Sequence, residues 1–270
     1  MQPKLILLES KQLFRSKWIQ IVTILFAVIF TAILMIQHLA LPDSGGYTRQ
    51  TASLLNILLF ILPLFILTIG SMNIAGDVET GWLGLLRTYP FTIGHYLLTK
   101  YIALSVIFLI IMVIVFLVAT LFGSLFGGLK LPGYAIYISI VLIFIFNALS
   151  ILIGSLAKSR IHALALSLGI WAMVTLLGSY IIMAVGTLTS ENTLQTLVML
   201  SIHLNPLEWV RYMYFVLADQ TAVLGPAFFS MSKFYNSPPG ILFMGIISFL
   251  WIVISLTVTN LILKIRGKRT

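Results

Sequence analysis

The sequence predicts an all-α integral membrane protein, on three observations. Of its 270 residues, 60% are hydrophobic and only 9% are charged, whereas soluble domains are about one quarter charged. The mean hydropathy is +1.10. Six apolar stretches each reach the ~20 residues that a helix needs to cross a bilayer. Together these values exclude a soluble globular enzyme and a disordered tail.

The six stretches are the predicted transmembrane helices, and none of them contains Asp, Glu, Lys or Arg. They lie at 18–39, 52–74, 101–122, 134–156, 163–185 and 241–263. The first is too long for the apolar region of a signal peptide, so we expect it to be retained. The apolar segment 193–204 is too short to span, and we expect an outer-surface or re-entrant helix there. The chain 1–270 is thus predicted to be a single transmembrane domain.

The distribution of basic residues predicts the orientation in the membrane. Six spans put both termini on one side, and twelve of the 16 Lys and Arg residues lie on that side. The other four are Arg49, Lys130, Arg211 and Lys233. Cytoplasmic loops carry an excess of Lys and Arg, so we expect both termini to be cytoplasmic. The net charge of +9 then indicates orientation and attraction to anionic lipid rather than binding of nucleic acid.

The N-terminal segment has the pattern of an amphipathic helix. Lys4, Lys11 and Arg15 point in nearly one direction on a helical wheel, with Ile6 and Leu13 opposite. This pattern predicts an elbow helix lying under the cytoplasmic leaflet. The alternative is a generic basic flank that only fixes the topology.

The connection between spans two and three, at 75–100, is the longest on the predicted cytoplasmic side. Asp77 and Glu79 stand out there against a basic background, because Glu9 is the only other acidic residue on that side. An apolar run follows and Pro90 ends it, which predicts a short helix that binds a soluble partner. The alternative is a surface loop with solvated charges. For Lys158 and Arg160, in the turn between spans four and five, topology alone is a sufficient explanation.

The predicted outer loop, 186–239, has helical signals of its own. Asn205 has the position of an N-cap, Pro206 that of the first helical residue, and Glu208 that of a side chain returning a capping hydrogen bond. Trp209 begins an aromatic run suited to the outer membrane interface.

Small and polar residues recur at helical spacing inside two spans. They are Asn147, Ser150 and Gly154 in the fourth, and Ala165, Gly169, Ala172 and Ser179 in the fifth. This pattern favours close helix packing, and a substrate pathway is the alternative. No span holds a carboxylate or histidine well inside the bilayer that could relay protons or bind a coupling cation.

The sequence lacks four common motifs of catalytic or ligand-binding sites. It has no GxxxxGK[ST] phosphate-binding pattern, no HExxH, no EF-hand loop and no GxSxG. The absence of cysteine excludes a disulfide framework and a thiol nucleophile. We therefore expect no catalytic residues and no enzyme activity on this chain, with energy supplied by a partner. His38, His203, Met213 and Met231 lack ligand spacing, so we expect no metal site.

The overall layout resembles the ABC-2 type transporter permeases. Two segments, GDVETGWLGLLRTYPFTIGHYLLTKY and HLNPLEWVRY, are most similar to permease subunits that serve maturation of nitrous oxide reductase. The resemblance implies a homodimer in a prokaryotic cell membrane, with two cytoplasmic ATPase subunits that hold ATP and Mg. No cofactor is expected on this chain, and an outer copper-handling protein is a further implied partner.

The resemblance also assigns two sets of residues. The coupling helix, which in the family lies in a groove of the ATPase, maps onto Asp77, Glu79, Thr80, Gly81, Leu85, Leu86, Arg87, Thr88 and Pro90. Binding of the outer partner maps onto Asn205, Pro206, Glu208, Trp209 and Arg211. Two alternative functions stay open at this stage: an ABC-2 exporter of a lipid, peptide or drug, and a membrane scaffold without a transport cycle.

Overall fold

A computed structural model describes residues 3–40, 49–82, 84, 92–125 and 133–266. Within these ranges every regular element is a helix. The long helices are α2 (Lys17–Ala40), α3 (Arg49–Glu79), α4 (Ile93–Leu125), α5 (Gly133–Leu156) and α11 (Pro238–Arg266). The shorter ones are α1 (Pro3–Phe14), α6 (Arg160–Ala172), α7 (Gly178–Gly186), α8 (Glu191–Leu204), α9 (Pro206–Leu217) and α10 (Phe229–Tyr235). A π-helical turn, Met173–Leu177, joins α6 to α7 into one helical run.

Five helical segments of the described chain are long and apolar enough to cross a membrane, and a sixth qualifies if α1 and α2 count together. α1 meets α2 at a bend of 65°. α8, which contains the predicted short helix 193–204, has only 14 residues.

α5 is the centre of the helix bundle. It packs against α3, α4, α9 and α11, and most of its side chains are buried. A Cβ placed on Gly154 would lie only 2.6 Å from the carbonyl oxygen of Ser71 on α3. Close approach of α3 and α5 therefore depends on glycine at this position, as the small-residue pattern of span four predicts.

The fifth span differs from the fourth, although both carry small residues. Gly169 faces open space, with no atom within 4 Å of a Cβ placed on it, so the packing explanation does not hold there within this chain. One contact between α3 and α6 is made by Ser167, whose hydroxyl lies 2.6 Å from that of Ser71.

Candidate functional site

One end of the bundle, here called the basic end, gathers α1, the end of α3, the start of α4 and the turn between α5 and α6. Its most buried charge is Lys100, whose side chain is 4% exposed. The ammonium group lies 2.8 Å from Glu9 Oε2 and 2.9 Å from Asp77 Oδ2. The Tyr96 hydroxyl donates to the same Asp77 oxygen at 2.7 Å. We call Glu9, Asp77, Tyr96 and Lys100 the basic-end cluster.

The basic-end cluster joins three helices through charged groups. Glu9 belongs to α1, Asp77 to the last turn of α3, and Tyr96 and Lys100 to the first turns of α4. Because Lys100 is buried, removing one partner would leave charge poorly compensated, which is costly in a protein interior. The middle of α1, the end of α3 and the start of α4 are thereby held at fixed positions relative to one another.

Glu79, the second acidic residue of the sequence pattern, binds the turn before α6. Its Oε2 accepts a hydrogen bond of 3.0 Å from the backbone N–H of Arg160, at the start of that helix. An acidic group at a helix N-terminus is stabilised by the helix dipole. A Cβ on Gly76 would lie 2.5 Å from Arg160 Nε, so glycine leaves room for this guanidinium. The connections after spans two and four are thus bonded to each other.

The chain that follows Glu79 is exposed. Gly81 adopts φ +72°, a conformation that L side chains rarely adopt, and turns the chain away from α3. Thr80, Gly81 and Gly84 are exposed, and the Trp82 side chain is 46% exposed. An exposed indole beside a turn is suited to contact with another protein. The remaining predicted coupling residues, Leu85, Leu86, Arg87, Thr88 and Pro90, lie outside the described residues.

At the opposite end of the bundle, Asn205 caps α9 as the sequence predicts. Its side-chain oxygen accepts from the backbone N–H of Leu207 at 2.9 Å, and Pro206 occupies the first turn. The amide nitrogen of Asn205 donates to the carbonyl of Val174 at 2.9 Å. Val174 lies in the π-helical turn, so one side chain begins α9 and also binds the irregular part of the α6–α7 run.

Two predictions for α9 need correction. Glu208 does not return a capping bond; its carboxylate accepts from Arg211 Nη1 at 2.7 Å. Trp209 does not lie on an outer surface, since it is 0% exposed and its indole donates to Ser248 Oγ at 3.0 Å. The aromatic face of α9 packs on α5, α8 and α3 rather than on the membrane interface. Of the predicted outer residues, Asn205, Glu208 and Arg211 are partly exposed.

His203 lies beside Trp209 in an aromatic cluster. Burial raises the pKa of the Tyr235 phenol to about 12, and its hydroxyl lies 2.7 Å from His203 Nε2. The other ring nitrogen, Nδ1, donates to the Met199 carbonyl at 2.8 Å, because a carbonyl only accepts. Both nitrogens are therefore engaged in hydrogen bonds within the protein. Among the described residues, no three His, Cys, Asp or Glu side chains are grouped to hold a metal ion.

A cavity of about 300 Å³ lies between α3, the π-helical turn and α9. Its walls are mainly apolar, with one guanidinium and a few polar groups. The lining residues are Asn56, Ile57, Leu59, Phe60, Ile61, Thr175, Leu207 and Arg211. A cavity of this character fits part of an amphiphilic molecule.

Comparison with known proteins identifies the family. A model of the ABC-2 family transporter proteins matches residues 4–264, nearly the whole chain. The chain belongs to the ABC-2 transporter family. A "Probable ABC transporter permease protein NosY" of Stutzerimonas stutzeri is 25% identical over 206 residues, covering 73% of this chain and 75% of the relative. A protein of the same name from Pseudomonas aeruginosa is 26% identical with the same coverage.

Membership of the ABC-2 family makes this chain a multi-pass membrane subunit of an ABC transporter in a prokaryotic plasma membrane, working with an ATPase partner. Sequence reasoning selected Asp77 and Glu79 but missed Glu9, Tyr96 and Lys100 as their neighbours. Charge balance was the available signal: a lysine at the start of a span and one acidic residue in the N-terminal helix are candidates to pair.

Proposed function

We propose that this ABC-2 permease transmits movements of its ATPase partner through the exposed residues 80–82 and the segment 83–91 into α1, α3 and α4. The basic-end cluster is the observation that carries the proposal. In the chain this segment lies between α3, which ends at Glu79, and α4, which begins at Ile93, and the cluster bonds the ends of both helices. A displacement of the segment therefore acts on three helices together rather than on one.

The proposed assembly is a homodimer of permeases above two cytoplasmic ATPase subunits that hold ATP and Mg. The proposal puts both termini in the cytoplasm, because the six-span topology gives their side twelve of the 16 Lys and Arg residues. ATP binding changes the populations of two permease conformations only if the ATPase states bind them with different affinity. The chain itself supplies no catalytic group in this proposal.

The physiological role that we propose is mechanical or transport work in copper-site maturation of nitrous oxide reductase. The similarity of two chain segments to permeases of that system supports it, together with the NosY relatives at 25% and 26% identity. An outer copper-handling protein would bind the partly exposed residues Asn205, Glu208 and Arg211.

Nucleotide-driven coupling is tested in the segment that follows α3. We expect Trp82→Ala combined with Arg87→Glu to abolish association with the ATPase while the permease remains folded. Asp77→Arg is unsuitable for this purpose because it would break the basic-end cluster. Lys158→Glu, an exposed charge reversal at the same end, is the matched control. Full ATPase association and stimulation in the double variant would contradict the proposal.

A second candidate function, export of an amphiphilic lipid, peptide or drug, is favoured by the cavity between α3 and α9. Its apolar walls and the Arg211 guanidinium suit a molecule with an apolar body and an anionic group. Deletion of the gene distinguishes the two candidates. Loss of copper from nitrous oxide reductase supports the first, whereas intracellular accumulation of an amphiphile supports the second. A purified complex that contains no ATPase would instead indicate a scaffold.

A further inference from the structure

The two sides of α1 differ in what they contact. Leu13 is buried against the bundle, and Glu9, one turn before it, reaches Lys100. The other side presents Leu7 at 70% exposure, Leu8 at 61% and Phe14 at 47%. Residues three and four apart share a helix face, and the exposed Lys11 lies between Leu7 and Phe14 on that face. Arg15, just past the end of α1, is exposed as well.

The bend before α2 determines where this face lies. α2 starts the first apolar span, and α1 departs from its direction by 65°. Lys17 and Trp18 are exposed at the bend, where a basic and an indole side chain favour the level of lipid headgroups. A helix leaving a span at this angle runs along the bilayer surface rather than away from it. Its exposed leucines and phenylalanine then reach the acyl chains while the basic groups remain at the headgroups.

Positive charge decides which headgroups suit this surface. Lys11, Arg15 and Lys17 are exposed, and the single carboxylate of the helix, Glu9, points to the bundle and is paired with Lys100. No acidic side chain of α1 therefore opposes an acidic headgroup. Basic residues next to a membrane span are attracted to anionic phospholipid at the membrane surface.

We propose that the exposed face of α1 binds anionic phospholipid headgroups of the adjacent leaflet, and that this binding fixes the position of the exposed turn at 80–82. Lipid binding holds α1 against the bilayer. Glu9 then holds Lys100, and Lys100 holds Asp77 three residues before Thr80. Anionic lipid thus controls the order of the turn through a chain of three side chains. The first step, binding of lipid by α1, is independent of the proposed coupling function. The second step, the effect on the turn, rests on that function only for its consequence for the ATPase.

The first step is tested with nitroxide labels, which the absence of cysteine makes specific. The full-length protein carrying Leu8→Cys is reconstituted in nanodiscs of phosphatidylcholine alone or mixed with phosphatidylglycerol. We expect phosphatidylglycerol to shield the label from a water-soluble nickel chelate. Since each basic residue near an acidic surface contributes roughly fivefold, Lys11→Gln with Arg15→Gln lowers the bound-to-free ratio of α1 roughly 25-fold.

The matched control is Lys158→Gln, which removes an exposed basic residue away from α1 and leaves the lipid response unchanged. Equal shielding in both lipids, or an equal loss in the control, overturns the proposal.

The second step is tested with a label at Trp82→Cys. We expect phosphatidylglycerol to reduce the mobility of this label in the otherwise native protein. With Glu9→Gln added, the label at position 82 stops responding to lipid, while the label at position 8 still responds. If mobility at position 82 is the same in both lipids without Glu9→Gln, the link is wrong. Neither measurement needs the ATPase, so a failure here is distinct from failure of the coupling function.

Discussion

The two ends of the bundle are held together by different chemistry. At the basic end, α1, α3 and α4 meet at one lysine between two carboxylates. At the opposite end, α8, α9, α10 and α11 meet through aromatic rings, with Trp209 and Tyr235 5.6 Å apart between centroids and both almost fully buried. A few charge pairs break together when one member changes. At the aromatic end, formed by these rings, removing one ring leaves the other ring contacts in place. The close packing there leaves the helices little room to move.

The largest effect on stability is expected from removing a buried ring at the aromatic end. Trp209→Ala removes a side chain with no exposed surface and a hydrogen bond to Ser248, which costs about 3–5 kcal/mol for large buried aromatics. Thermal unfolding of the detergent-solubilised protein measures the loss. Trp82→Ala, at a 46% exposed indole, is the matched control and should cost less than about 0.5 kcal/mol. Similar costs for the two would show that the aromatic end does not stabilise the fold.

The second effect tests the charged end. Lys100→Met leaves Glu9 and Asp77 facing each other, and we expect a loss of about 2–3 kcal/mol, less than for a fully buried pair because the carboxylates are 21% exposed. Adding Glu9→Gln and Asp77→Asn should recover part of the lost stability, since no unpaired charge remains. Thermal unfolding of the single and triple variants gives the difference. A triple variant less stable than Lys100→Met would contradict the pairing.

An intermediate effect is expected at Asn205, which connects the aromatic end to the π-helical turn. Asn205→Ala removes the N-cap of α9 and the bond to the Val174 carbonyl, at a cost of about 1–2 kcal/mol. Asn192→Ala, at an exposed position of α8, serves as control. Hydrogen exchange of residues 173–177 should speed up only in the Asn205 variant; unchanged exchange would show that the turn does not depend on this bond.

The smallest effect on stability is expected at Arg211, whose pair with Glu208 spans one turn of a partly exposed helix edge. Arg211→Ala should cost about 0.3–0.5 kcal/mol. If the outer copper-handling protein binds here, its affinity falls while the unfolding temperature barely changes. Glu208→Ala serves as the companion variant, because it removes the negative charge of the same ion pair. Unchanged affinity in both variants would remove α9 from the proposed outer binding surface.

Apolar run length predicted the helix ends well where polar residues mark them. The span predicted at 134–156 corresponds to Gly133–Leu156. The span predicted at 101–122 is instead part of Ile93–Leu125, because polar residues before Tyr101 continue the helix. Lys100 looks like a loop residue in the sequence, since nothing local shows the carboxylates that neutralise it. Long-range pairing of this kind is not encoded in periodicity.

The site predictions failed where one pattern permits two environments. The amphipathic face of α9 indicates that something apolar covers it, but not whether that is lipid or protein. The sequence therefore predicts Trp209 at the membrane interface, whereas the structure has it in the protein core. Gly154 and Gly169 belong to similar stripes, yet only Gly154 touches a neighbouring helix within this chain. In each case the missing information is the identity of the neighbour, which depends on tertiary contacts.

The π-helical turn at Met173–Leu177 has a consequence for insertions and deletions. Such a turn holds one residue more than the α-helix it interrupts. Deleting a single residue there would convert α6 and α7 into one regular helix without shortening either. Inserting a residue elsewhere in the run would instead rotate everything beyond it by about 100°. The turn is therefore the position in this span where a change of chain length costs least.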